Sequence, residues 1–285
     1  MTLNCILRDL QPHATLGCMD MKENECIVLY VKCCDANVKE AREATSGSVR
    51  EYFKRQFKVP TNLKVVCFFD DEDPDLFVAG CRLDAGTRGV HWPIRGGGLS
   101  GWPYYMYNVV APPSNPDSSG VTWPFDSLVY LYGSTCENEL GLTITFAHEL
   151  QHFLQYANER QLWAANALLM RLFGNDSSLS KRPWEIPTER EARLVAKRVA
   201  EHLHGEESIR QHAFAKLNDS ATVVDRGDWQ FFRDIVTSDA YDLANETKRL
   251  VQQHMPQLTK LHAGCAGSPD FSNLDFESTD WLPTV

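Results

Sequence analysis

Three residues of the segment TFAHELQHFLQYANE (145–159) combine the types and spacing that metal chemistry needs: His148, Glu149 and His152. On an α-helix, residues four apart lie on one face about one turn apart, so both imidazoles can aim at a single ion. Glu149, beside the first histidine, reaches the edge of such a site. There it could take a proton from a water instead of binding the ion. The neighbours Thr145, Phe146, Ala147, Leu150 and Tyr156 imply burial on nearly all sides. Two histidines and a glutamate buried without partners are costly, and a bound cation offsets that cost. The competing reading is a fortuitous match on an ordinary buried helix.

A catalytic zinc takes three protein ligands and keeps one position open. After His152 the chain runs FLQYANERQL, so no nearby histidine completes the set and the third ligand must come from a later element. The segment RPWEIPTEREARLVAKRVAEHL (182–203) reads as a helix with the apolar stripe Ala192, Val195, Ala196, Val199 and Leu203. At about 100° per residue, Glu189 lies about 60° from Ala192, and Glu191 about 100° away on the other side. Thr188 with Glu191 also spells a capping box, which would give Glu191 a structural task at the helix start. Glu189 is therefore the expected third ligand, with Glu191 the alternative. A solvated first-turn glutamate, favoured by the helix dipole, is the bland reading of either.

HELQH followed by PTEREA resembles the gluzincin-type zinc metallopeptidases, in which one helix carries His-Glu-x-x-His and a second carries Glu-x-x-Ala or Glu-x-x-Ser. The likeness rests on His148, Glu149, His152 and the stretch Glu189 to Ala192, about 60 residues of the chain. It implies zinc held by His148, His152 and Glu189, with Glu149 as general base toward a peptide or protein substrate. It also implies a strand beside the cleft that pairs with extended substrate, here SLVYLYGST (127–135). Some relatives place an acidic or amide residue directly after the Ala or Ser to support the first histidine; here that position is Arg193. A histidine or tyrosine often steadies the oxyanion, and Tyr156, His202, His204 and Tyr241 are the candidates.

Elements that would position these residues can be read on either side. CIVLYVKCC (26–34), NLKVVCFFDDED (62–73) and DLFVAGCRL (75–83) read as strands, and SVREYFKRQF (48–57) as a helix capped by Ser48. The expected fold is α+β. An N-terminal α/β layer with a small sheet (1–85) precedes a mostly helical zincin-like region (127–267), with the active-site cleft between them. Between the two runs a Gly-, Pro- and aromatic-rich stretch (86–126) with one possible strand, YYMYNVV, and the chain ends in an acidic tail (268–285).

Composition excludes some partners. The net charge of −10 argues against a nucleic-acid backbone or an anionic membrane as the main partner. No run of about 18 apolar residues appears, and the N-terminus lacks the pattern of a signal peptide. The nine cysteines include no Cys-x-x-Cys pair, so they read as reduced thiols of a cytoplasmic protein. Two further functions compete with peptide-bond hydrolysis. One is a regulatory or sensor protein with a peptidase-like zinc fold; the other is an interaction protein whose HELQH is coincidental. Intact Glu149 favours an enzyme, since a purely structural zinc needs no base.

Overall fold

The computed structural model describes residues 26–70 other than 32, 34 and 64, then 77–78, 81–82, 89–93, 127–132, 138–175, 182–220, 223–238, 241–264 and 274. Within these, the β-branched and aromatic runs form strands as expected. β1 (Ile27–Val31), β2 (Val65–Asp70), β5 (Gly89–Pro93) and β6 (Ser127–Tyr132) make one sheet in the order β1-β2-β6-β5. The first three in that order run parallel, and β5 lies antiparallel to β6 at the edge. The stretch expected as a third strand is instead a separate two-stranded pair, β3 (Phe77–Val78) with β4 (Cys81–Arg82).

Helix α1 (Ala36–Gln56) crosses over from β1 to β2. It starts about three turns before the expected 48–57, because Asp35 caps it by accepting from the amides of Asn37 and Val38. Ser48 is no cap: its hydroxyl donates back to the Ala44 carbonyl in mid-helix. HELQH lies on α2 (Glu139–Asn158), whose first turn is capped by the Asn138 side chain. Then follow α3 (Arg160–Asn175), a 3₁₀ turn (Pro183–Glu185), α4 (Pro187–His204), α5 (Glu206–Asp219), α6 (Val223–Asp234), α7 (Leu243–Gln253) and α8 (Met255–Gly264). Gly205, with φ of 84°, makes the left-handed corner between α4 and α5, a conformation that costs glycine little.

The expected fold class is corrected. Helices dominate the described residues, and the strands do not form a layer of residues 1–85 set apart from a helical lobe. One strand inside the sheet, β6, comes from 127–132, and its edge strand, β5, from the Gly-rich stretch. The reason is visible in the packing. Ile27, Val65, Cys67, Phe69, Val129 and Leu131 alternate onto one face of the sheet, as the two-residue strand period requires. They bury against Phe53 of α1, Phe146 and Leu150 of α2, and Val195 and Val199 of α4 in a single core. Phe69 meets Phe146 edge-on at 5.1 Å between ring centres. A sheet this short cannot bury its own apolar face, so the helices close on it.

A second cluster joins α3, α7 and α8 through Leu168, Leu169, Leu250, Val251 and Leu258. Leu274 of the acidic tail packs into it; the remainder of 268–285, and the possible strand YYMYNVV, lie outside the described residues. Among the described residues no helix is long and apolar enough to cross a membrane.

Candidate metal centre

His148 and His152 project from the same face of α2, their rings perpendicular with centres 4.6 Å apart. Their Nε2 atoms lie 3.0 Å from each other. Glu189, in the first turn of α4, brings its carboxylate oxygens to 3.5 Å from His148 Nε2 and 3.2 Å from His152 Nε2. Two imidazole lone pairs and a carboxylate oxygen thus converge within 4.8 Å of one another. That donor set suits a divalent cation, and zinc is bound by histidine nitrogen and carboxylate oxygen in such open three-ligand sites. The expected ligands therefore come together, drawn from two helices that pack against each other in the core.

Glu191 does not join them, and it does not close a capping box either. The residue before α4 is Ile186, which offers no side-chain cap, and Pro187 at the first position needs no amide partner. Glu191 instead points across to α2, where its Oε2 accepts from Gln151 Nε2 and Gln155 Nε2, both at 2.9 Å.

Glu149 is buried beside the triad, under the edge strand. There it accepts the backbone N–H of His91. Its close neighbour is Gly89: a Cβ at that position would stand 3.0 Å from Glu149 Cγ and 3.0 Å from Thr145 Cγ2. A side chain on β5 here would make Glu149 and Thr145 give way. Burial pushes the Glu149 carboxyl up to about 7, with Glu189 adding to the rise and His152 opposing it. Glu189 is held well below the usual carboxylate range: burial opposes its charge, but His152, hydrogen bonds from both imidazoles and Arg193 outweigh it. For His152, burial also disfavours the charged form, yet Glu189 dominates and raises the ring to about 9. His148 moves the other way, to about 4, through burial and the neighbouring His152.

Arg193 answers the question its position raised. It lies one turn beyond Glu189, and its Nη1 donates to Glu189 Oε2 at 2.6 Å while its Nε pairs with Asp228 of α6. Burial would disfavour its charge, but Asp228 and Glu189 keep it firmly protonated. The arginine thus steadies the carboxylate ligand instead of a histidine.

The oxyanion candidates scatter. His202 meets the Tyr52 ring at a tilt, 4.9 Å between centres, and His204 Nε2 meets Thr143 Oγ1 at 2.9 Å. Both belong to the far end of α4, on the order of 20 Å from Glu189 at about 1.5 Å per residue. The Tyr156 ring lies beside His91 and Trp163, under the Arg160 guanidinium. Tyr241 lies against Arg190, with burial raising its phenol above the usual range.

The strand beside the site is β5, not 127–135: β6 is interior, paired on both sides, and β5 ends the sheet of the described residues over Glu149. Its residues Gly89 and His91 went unnoticed in the sequence, where the surrounding glycines and prolines hide a five-residue strand. His91 packs its ring against Phe153 and Tyr156, and its buried Nε2 has no partner among the described residues. Burial first, and His152 second, hold its imidazole well below its ordinary value. No protein-family model, curated protein or solved structure matches the chain.

Proposed function

We propose that the chain is a zinc-dependent metallopeptidase of the gluzincin type, with His148, His152 and Glu189 as ligands and Glu149 as general base. The observation that carries this reading is the convergence of three metal-competent donors within 4.8 Å, with a buried fourth carboxyl, Glu149, alongside. The chemistry supplied by bound zinc is Lewis acidity, which polarises a carbonyl and acidifies a water. Glu149, with its carboxyl pushed up to about 7, can hold or release a proton near neutral pH, as a group that acts first as base and then as acid must. The His91 amide and the close approach of Gly89 place β5 directly against its carboxylate. Arg193 and Asp228 keep Glu189 ionised and aimed at the histidines.

An extended peptide is the substrate shape this site favours, because β5 ends the described sheet directly above Glu149 and an edge strand offers backbone groups for pairing.

The test is incubation of zinc-loaded protein with a library of unstructured peptides, read by mass spectrometry, beside Glu149→Gln. Products that appear with the wild type and fall at least a hundredfold in the variant are expected. Equal cleavage by both would assign any hydrolysis to a contaminant and remove Glu149 from its role. Zinc-loaded protein that cleaves nothing in a broad library favours the sensor reading.

A further inference from the structure

We propose that Gln155 is a positioning residue that locks the His152 imidazole with Nδ1 protonated and Nε2 facing the metal centre, anchored by Glu191 on the neighbouring helix. The inference rests on the metal-centre reading above.

The argument runs through which atoms can only accept. The two ends of a glutamine amide have nearly the same shape, so its orientation is decided by its partners. One end of Gln155 lies 2.9 Å from the Thr188 carbonyl oxygen and 2.9 Å from Glu191 Oε2. A backbone carbonyl has no proton to give, so that end must be the NH₂ group. The carbonyl end then faces His152, 2.8 Å from Nδ1. Since this oxygen can only accept, Nδ1 must carry the proton. In a neutral ring the lone pair is then on Nε2, the atom that meets His148 and Glu189.

Burial makes the arrangement rigid. Gln155 is almost wholly shielded, at 3% exposure, so water cannot easily replace either of its partners. Gln151, one turn earlier, donates to the same Glu191 oxygen, so a single carboxylate clasps two amides of α2. Glu191 thus works across the helix pair, while Glu189, on the other side of the same first turn, faces the histidines. A hydrogen bond from the outer ring nitrogen is the usual device that orients a metal-binding histidine. Here the acceptor comes from the ligand's own helix, three residues on, with its orientation set by α4.

The test is zinc affinity, measured by competition with a chromophoric chelator, for the wild type, Gln155→Leu and Gln155→Met. Methionine keeps the length of the side chain but offers no amide oxygen to Nδ1 and no NH₂ to Thr188 and Glu191. Both variants should bind zinc about 10- to 100-fold more weakly. A second readout is nitrogen NMR of the imidazoles in zinc-loaded protein. The His152 Nδ1–H should exchange slowly in the wild type and fast in both variants. Melting of the metal-free proteins separates a packing defect from a positioning one. Equal affinity and equally slow exchange in Gln155→Leu would overturn the role of Gln155 alone. If Gln155→Leu does not fold, a folded Gln155→Met that binds zinc as tightly as the wild type overturns it instead. Folded wild-type protein that takes up no zinc removes the metal centre, and this inference with it.

Discussion

Glu149 is the residue whose environment says most about the site. Its folded-state pKa of about 7 lies above the ordinary 4.5, chiefly because of burial. The sign follows directly: between those values the folded chain holds a proton that the unfolded chain has released. The stabilisation is therefore complete below about pH 4.5 and is lost as pH rises through 7, amounting to about 3 kcal/mol. In metal-free protein, wild-type stability should fall relative to Glu149→Gln over that window, as followed by urea denaturation at a series of pH values. Parallel curves would mean that Glu149 is ionised throughout. His148, Glu149 and His152 were legible in the sequence because a four-residue spacing on an apolar helix fixes their common face. Glu189 was legible by the same angular argument. Glu191 misled, since a capping box is a local pattern and cannot register the two amides waiting on another helix. His91 and Asp228 meet the site only through tertiary contact, so no local signal marks them, and Gln155, three residues after His152, takes its orientation from Thr188 and Glu191 of another helix.

Among the elements, α4 decides whether the third ligand arrives. Its first turn lacks a side-chain cap and is held from outside, by Gln155 on the Thr188 carbonyl and by the turn that carries Trp184. Trp184 lies over the backbone of α6, where a Cβ on Gly227 would stand 2.7 Å from its ring, and it stacks on Phe231. The indole is rigid, so Gly227→Ala must displace either the ring or α6. A cost of about 1–3 kcal/mol is expected, together with weaker metal binding, because Asp228 is the next residue and steadies Arg193. Thermal melting and chelator competition on this variant check both. An unchanged melt would show that the turn moves aside freely and does not position α4. The helices of the C-terminal half were readable from their periodicity. The edge strand β5 was not, because five residues among glycines and prolines carry too little alternation to stand out.

At the scale of the molecule, the sheet, α1, α2 and α4 share one core, with the three candidate metal ligands where two of those helices meet. The division into a sheet layer and a helical lobe failed for a topological reason: parallel strands from distant parts of the chain must share one sheet, and composition does not announce their order. An ion bound between α2 and α4 favours the folded state over the unfolded one, so zinc should raise the melting temperature in a concentration-dependent way. The central claim is tested most directly by the metal content of the purified, folded chain, measured by mass spectrometry beside His148→Ala and Glu189→Ala. About one zinc per chain in the wild type, lost in both variants, is the predicted result. Folded wild-type protein that holds no zinc, even after incubation with excess ion, would contradict the account.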